Sequence, residues 1–269
     1  IKKRKVNIGI RLNPNTDAKT LSQISTGKKE NKFGVNEKTF FKLVNFCKNS
    51  KNIDLKCLSV HIGSQILDYK PYEKMLRVVD RIIHKINHKF EFIDLGGGMG
   101  ISYKHEDKKL NYSKYSEIIK KFLKKHKSKI IFEPGRSIIG DTGTLISKII
   151  YIKKNDSKNF IILDAAMNDL MRPALYGAHH KILPSTKSKK KSNKTYEFVG
   201  PICESTDKFN TLKNFQELEE KDLIAICDVG AYGMSLSSNY NVRLKPPEIL
   251  IKGSKIKVIR KKQKYKDLM

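Results

Sequence analysis

Three polar segments of this 269-residue chain each follow an apolar run with the composition of a β-strand. They combine an imidazole with a hydroxyl, a run of glycines, and an acid with a guanidinium: His61 and Ser64, Gly96 to Gly98, and Glu133 and Arg136. Glycines let backbone N–H groups approach a phosphate, and the acid and the guanidinium could hold a polar ligand. The simpler interpretations are a plain glycine turn, a core histidine and an ion pair between Glu133 and Arg136. The residue types alone leave both interpretations open.

Alternating strand and helix patterns place these segments at one edge of a parallel sheet. The predicted strands are Val6–Leu12, Cys57–Ile62, Glu91–Leu95 and Ile130–Phe132, and the predicted helices cover about residues 37–48, 71–86 and 112–126. Barrels and doubly wound sheets form their active sites at the C-terminal ends of parallel strands. A barrel has eight strands, so four indicate either an open sheet or about four further βα units ahead of Ile1.

After Thr144 the pattern changes to strands with few helices between them. The predicted strands are Leu145–Ile152, Phe160–Leu163, Tyr196–Val199, Leu223–Cys227, Glu248–Ile251 and Lys255–Ile259. Successive strands without crossover helices are typical of antiparallel sheets. We therefore predict two domains, residues 1–144 and 145–269.

The formal net charge of +28 raises the question of a nucleic-acid partner. The charge comes almost entirely from lysine, spread through predicted helices and loops, whereas arginine, which suits phosphates and guanine edges, is scarce. We therefore expect no nucleic-acid partner; a true nucleic-acid binder would show an affinity that falls steeply with salt. The lysine-rich segment from Lys187 to Lys194 is interpreted as a solvated loop.

Cysteine spacing and hydropathy argue against several further classes of protein. Cys47, Cys57, Cys203 and Cys227 show no CxxC spacing, so we expect neither a zinc site nor a disulfide framework. No apolar run approaches the roughly 20 residues of a membrane-spanning helix, and no signal peptide is recognisable. A cytoplasmic protein without a membrane partner or a metal is expected.

Six motifs, in order along nearly the whole chain, resemble the diaminopimelate decarboxylases. They are HIGSQ at His61, DLGGGMGI from Asp94, FEPGRSIIG from Phe132, DAAMNDLMRPALYGAHH from Asp164, GPICESTD from Gly200 and DVGAYGMSLSSNYN from Asp228. An ISTGKKENKFG stretch from Ile24 and a closing RLKPPEIL accompany them. The resemblance implies an α/β fold in which the C-terminal half of a (β/α)8 barrel is followed by a mostly antiparallel β-domain.

The same resemblance implies a pyridoxal 5'-phosphate enzyme that converts meso-2,6-diaminopimelate to L-lysine and carbon dioxide, the last step of lysine biosynthesis. The implied cofactor contacts are His61 on the ring, Glu133 on the pyridine nitrogen, and Ser64, Gly97, Gly98, Gly135, Arg136 and Tyr232 around the remainder of the cofactor. The implied substrate contacts are Arg136, Arg172, Tyr176, Glu204 and Tyr232. A carboxylate that keeps the pyridine nitrogen protonated meets the electron-sink requirement of this cofactor.

Cys203 is implied as the proton donor to the carbon that loses carbon dioxide, with His61 as the other catalytic residue. Glu204 is implied to receive the distal ammonium of the substrate, while arginine receives its distal carboxylate. In this family the loop bearing the cysteine reaches the active site of the partner subunit. A homodimer with shared active sites is therefore expected.

One expected feature does not occur in the chain. The family binds its cofactor through a Schiff-base lysine in a Tyr-Ala-x-Lys-like motif early in the barrel, and no such motif is found. We therefore expect an N-terminally truncated sequence that is inactive alone and exposes sheet edges. Two alternatives stay open: a decarboxylase of the ornithine or arginine type, and a non-catalytic, decarboxylase-like binding protein.

Overall fold

The computed structural model describes residues 4–156, 158–186, 190 and 192–269, which form two compact units, Ile1–Ile138 and Ile139–Met269. The division lies slightly ahead of the predicted boundary at residue 144. Residues 140–143 fold with the second unit because the backbone N–H groups of Gly230 and Val229 donate to the carbonyl oxygens of Gly140 and Gly143. No helix in the described part of the chain has the length and apolarity needed to cross a bilayer.

The first unit contains a four-stranded parallel sheet whose strands follow chain order. The strands are β1 (Val6–Arg11), β2 (Ile53–Ser59), β3 (Phe92–Asp94) and β4 (Lys129–Ile131), and the helices between them are α1 (Glu37–Asn49), α2 (Lys70–Ile86) and α3 (Tyr112–Lys125). A short helix, α4 (Arg136–Ile139), follows β4. Consecutive strands of a (β/α)8 barrel pair in chain order, whereas a doubly wound sheet reverses its order. The four strands form an open sheet with the strand order of part of a barrel, and the doubly wound order is not found.

Local sequence signals begin and end these helices. Asn36 and Asn111 cap α1 and α3, since their side chains accept hydrogen bonds from the backbone N–H groups of Thr39 and Lys114. Pro71 lies in the first turn of α2, and Asn87 ends that helix with a left-handed φ of 47°. The buried face of α2 repeats at helical spacing: Tyr72, Met75, Leu76, Val79, Ile82 and Ile86. This face packs in the core of the first unit.

The second unit contains a six-stranded sheet in the order β7-β10-β5-β6-β8-β9, with β6 and β8 as its parallel pair. Its strands are β5 (Thr144–Lys154), β6 (Lys158–Leu163), β7 (Ile182–Pro184), β8 (Thr195–Val199), β9 (Lys208–Leu212) and β10 (Leu223–Cys227). A short helix, α5 (Arg172–Tyr176), lies between β6 and β7, and β11 (Glu248–Lys252) and β12 (Lys255–Arg260) form a hairpin. The predicted, mostly antiparallel β-domain is confirmed.

Three elements of the second unit had no counterpart in the sequence prediction. They are α5, β7 and β9, which have three to five residues each. Elements this short show too little periodicity to be recognised locally. Both ends of β2 were also misplaced, since the strand covers Ile53–Ser59 instead of Cys57–Ile62. The predicted lysine-rich loop falls largely outside the described residues, because these omit residues 187–189 and 191.

Candidate active site

The carboxyl ends of β2, β3 and β4 bring the three polar segments of the first unit together. The backbone N–H of Glu133 donates to the carbonyl of Gly96 at 2.9 Å, and the N–H of Ile66 donates to the carbonyl of Gly98 at 2.9 Å. Loops that follow separate strands are therefore tied to one another through their backbones. The prediction that these segments share one edge of the sheet is correct.

His61 lies half-buried in this edge and has a defined protonation state. The backbone N–H of Gly97 donates to its Nδ1 at 3.1 Å, so Nδ1 carries a lone pair and the proton of the neutral ring lies on Nε2. Burial, together with the nearby cation of Arg11, lowers the pKa of His61 below its usual value. A neutral, flat imidazole can pack against another aromatic ring without a desolvation penalty for charge.

The glycine run is needed for close packing between loops. A Cβ on Gly97 would overlap the carbonyl oxygen of Glu133, and a Cβ on Gly98 would overlap that of Gly63. Gly98 also has a left-handed φ of 92°. Part of the glycine requirement is thus structural, and the Gly97 N–H is directed at His61.

Arg136 and Ser64 form the polar centre of the site. The guanidinium donates to the Ser64 hydroxyl from Nη2 at 3.1 Å and to the Tyr103 hydroxyl from Nη1 at 2.7 Å. Arg136 and Tyr103 are both buried. A buried cation next to a hydroxyl is a donor set that suits a phosphate or a carboxylate. Tyr103 was not identified from the sequence because it stands outside every motif.

Glu133 and Gly135 line the exposed side of the same edge. A Cβ on Gly135 would meet no atom within 4 Å, so open space lies in front of this turn. Burial lowers the pKa of Arg11, whereas the charges of Glu133 and Asp94 act in the opposite direction. The Glu133 carboxylate is accessible and can accept a hydrogen bond from a protonated ring nitrogen. These residues, with His61 and the Ser64–Arg136 pair, fit a flat, phosphorylated pyridine.

In the second unit, a tight loop presents Cys203 and Glu204 to solvent. Asp207 holds this loop from inside, since its buried carboxylate accepts from the backbone N–H groups of Ile202 at 2.8 Å and Met167 at 2.7 Å. Burial raises the pKa of Asp207, although these N–H groups act in the opposite direction. The sequence did not identify Asp207 as the residue that shapes the loop.

Glu204 is held by a second residue that the sequence analysis did not single out. The Tyr240 hydroxyl donates to Oε1 of Glu204 at 2.7 Å, and this hydrogen bond raises the pKa of Tyr240. Tyr240 lies in the DVGAYGMSLSSNYN motif, and this position could have identified it as a site residue from the sequence. The bond restricts the orientation of the Glu204 carboxylate.

Three further predicted residues lie elsewhere in the second unit. Arg172 and Tyr176 belong to α5, where Arg172 is buried and Tyr176 is half-buried. Tyr232 is 44% exposed and has a φ of 60°, a left-handed conformation that is rare for an aromatic residue. Such strained positions concentrate at ligand sites, because the surrounding structure must hold them.

One group of potential metal ligands occurs among the described residues, away from these loops. Asp80, His84 and His126 bring ligand atoms within 4.8 Å of one another on α2 and at the end of α3. The Asp80 carboxylate already accepts from Lys125 Nζ at 2.9 Å and from His126 Nε2 at 2.7 Å. The cluster therefore has a structural explanation as a link between two helices.

Comparison with known proteins assigns the fold and the family. Residues 2–140 match the family described as pyridoxal-dependent decarboxylase, pyridoxal binding domain. The chain is 40% identical over 266 residues to the diaminopimelate decarboxylase of Aquifex aeolicus, covering 97% of this chain and 63% of that protein. It is 43% identical over 268 residues to that of Helicobacter pylori, covering 98% and 66%.

A solved structure agrees with these sequence matches. The crystal structure of diaminopimelate decarboxylase from Helicobacter pylori complexed with L-lysine superimposes with a TM-score of 0.91 and 44% sequence identity, covering 98% of this chain and 66% of that one. The predicted fold and the resemblance in the motifs are confirmed. The chain spans 63–66% of the length of these curated relatives.

Proposed function

Because this chain belongs to the pyridoxal-dependent decarboxylase family, we propose that its protein decarboxylates meso-2,6-diaminopimelate to L-lysine and carbon dioxide. The observation that carries the proposal is the loop at Asp207, which presents an exposed thiol and an exposed carboxylate side by side. The relatives at 40–43% identity support it, since they are diaminopimelate decarboxylases. A cytoplasmic location fits four free cysteines and a biosynthetic role.

Residues of the first unit bind the cofactor. Bound pyridoxal 5'-phosphate supplies an electron sink for the bond that breaks. His61 packs its neutral ring on the cofactor, while Glu133 accepts a hydrogen bond from the pyridine nitrogen and keeps it protonated. Ser64 and the backbone at Gly97, Gly98 and Gly135 surround the phosphate. Arg136 supplies a positive charge that Tyr103 holds in place.

Residues of the second unit recognise the part of the substrate that does not react. The far end of diaminopimelate is itself an amino acid, so its recognition requires both signs of charge. Glu204 receives the distal ammonium, and Arg172, with Tyr176 nearby on α5, receives the distal carboxylate. Tyr232 contacts both cofactor and substrate. Cys203 donates a proton to the carbon that carbon dioxide has left.

The ornithine or arginine type of decarboxylase is the main alternative. A substrate of that type lacks the distal carboxylate, so it makes no use of a buried arginine on α5. A non-catalytic binding protein is a further alternative, but it has no use for an exposed proton donor at Cys203. The role of Arg172 in binding a distal carboxylate therefore distinguishes a diaminopimelate decarboxylase from the ornithine or arginine type.

Arg172→Ala in the complete gene product provides the test. We expect it to raise KM for meso-diaminopimelate by about 10- to 100-fold, because a charge-assisted hydrogen bond is lost. The KM for ornithine, which lacks the distal carboxylate, should change far less. Arg77→Ala, at a side chain that is 70% exposed and paired with Glu73, is the matched control. Equal effects of Arg172→Ala on both substrates would remove the proposed role.

A homodimer with shared active sites completes the proposal. The exposure of Cys203 and Glu204 supports this proposal, because it leaves both side chains accessible to a neighbouring subunit. No nucleic-acid partner is proposed, since lysine carries most of the positive charge and arginine is scarce. No membrane partner is proposed either, since no apolar run approaches the length of a membrane-spanning helix.

A further inference from the structure

A buried histidine contacts Arg172 in the second unit. His180 is fully buried, and its Nε2 lies 2.8 Å from Nη1 of Arg172, which is itself buried. Its other ring nitrogen, Nδ1, lies 2.9 Å from the carbonyl oxygen of Cys227. The imidazole therefore bridges the short helix α5 and strand β10.

These two contacts permit one assignment of the proton on His180. A guanidinium can only donate hydrogen bonds, so Nε2 must accept from Arg172. A carbonyl oxygen can only accept, so Nδ1 must carry the proton. The ring is therefore neutral, with its proton on Nδ1. A doubly protonated ring would direct an N–H at the guanidinium and place two cations in contact.

The sheet fixes the position of this ring. The N–H of Cys227 donates to the carbonyl of Lys181 at 2.8 Å, and Asn210 on β9 donates from Nδ2 to the carbonyl of His180 at 2.9 Å. His180 is thus held by two strands of the six-stranded sheet. Arg172 lies on a helix of five residues, which is too short to be rigid by itself.

We propose that His180 is a positioning residue that sets the plane of the Arg172 guanidinium for the carboxylate that the substrate retains. This inference rests on the proposed function. Bidentate recognition of a carboxylate requires the planar guanidinium in one orientation, and a hydrogen bond at Nη1 removes its freedom to rotate. His180 itself touches neither substrate nor cofactor in this role.

Two variants separate positioning from packing. In His180→Gln the amide oxygen reaches about the position of Nε2, so the acceptor for Arg172 is kept. In His180→Asn the side chain keeps a donor for the Cys227 carbonyl, but it is too short to place an acceptor next to Arg172. The two amides differ by one methylene group, so they form a matched pair.

The readout is inhibition of the complete gene product by two amines. L-Lysine keeps the carboxylate that Arg172 receives, whereas 1,5-diaminopentane lacks it. We expect His180→Asn to raise the inhibition constant of L-lysine about tenfold or more, with that of 1,5-diaminopentane nearly unchanged. His180→Gln should keep the inhibition constant of L-lysine within about threefold of wild type.

Equal weakening of L-lysine inhibition by Gln and Asn would overturn the inference, as would a parallel loss for both amines, since either result is the signature of packing alone. Failure of the proposed function is recognised separately. In that case the wild-type protein neither releases carbon dioxide from diaminopimelate nor is inhibited by L-lysine, and the role of His180 falls with it.

Discussion

His61 and His180 hold their protons on opposite ring nitrogens. The Gly97 N–H leaves the His61 proton on Nε2, whereas the Arg172 guanidinium leaves the His180 proton on Nδ1. Both rings are neutral, and burial lowers the pKa of His61 further. The same residue type thus accepts a hydrogen bond at Nδ1 in one unit and at Nε2 in the other, because its neighbours determine which nitrogen can accept.

A substitution at Cys203 should change catalysis without changing stability. Cys203→Ser replaces a thiol by a much weaker acid, so we expect kcat for diaminopimelate to fall by about 10²-fold or more. The urea midpoint should not move, because the side chain is exposed. Cys57→Ser, at a half-buried position on β2, is the control and should leave kcat within about twofold. An unchanged kcat for Cys203→Ser would exclude the thiol as proton donor.

At the scale of elements, helices α2 and α3 are linked by one carboxylate. Asp80 on α2 accepts from Lys125 and from His126, both at the end of α3. Burial alone would raise the pKa of Asp80, but the two hydrogen bonds outweigh it and hold the pKa below its ordinary value. A depressed folded-state pKa contributes stability above the unfolded pKa, and that stability is lost as pH falls through the folded pKa.

Asp80→Asn should therefore lower the free energy of unfolding at pH 7 by about 1 to 3 kcal/mol. The difference from wild type should narrow as the pH falls below about 4, the ordinary pKa of an aspartate in an unfolded chain, toward the lower folded-state pKa of Asp80. Urea denaturation at pH 7 and at pH 3 measures both values. Glu106→Gln, at an exposed acid, is the control. A difference that stays constant between the two pH values would contradict the role of the charge.

At the scale of the whole molecule, much apolar surface is exposed in this chain. β1 and β4 are edge strands of the parallel sheet, as expected for part of a barrel. The hairpin of β11 and β12 exposes six large apolar residues, each at least half accessible: Ile249, Leu250, Ile251, Ile256, Val258 and Ile259. Unpaired edges and exposed apolar strands favour association with other chains.

The proposed sharing of active sites between subunits predicts complementation between two inactive variants. Cys203→Ser leaves the cofactor residues intact, and Glu133→Ala leaves the thiol intact, so a mixed dimer has one complete site if the loop acts across subunits. After random subunit exchange, half of the dimers are mixed, and about a quarter of wild-type activity should return. Each variant alone is the control. No recovery in a mixture that has demonstrably exchanged subunits would place the loop in its own subunit's site.

The sequence by itself determined the alternation of strands and helices in the first unit and the change of pattern near residue 144. Hydrophobic periodicity is a local signal, so the helices found as α1, α2 and α3 could be predicted from neighbouring residues to within a few positions. The family motifs identified the candidate residues, from His61 to Tyr232, for the same reason: each motif is contiguous.

Only the tertiary structure decided which partners these residues have. Four hydrogen bonds of the candidate site join residues that are between 5 and 36 positions apart in the sequence. They are Tyr103 with Arg136, Asp207 with Ile202 in the Cys203 loop, Tyr240 with Glu204, and His180 with Arg172. The ring protons of His61 and His180 and the pairing of the short strands β7 and β9 depend on the same convergence. No local sequence pattern encodes these contacts, because folding of the backbone decides which side chains come within hydrogen-bonding distance.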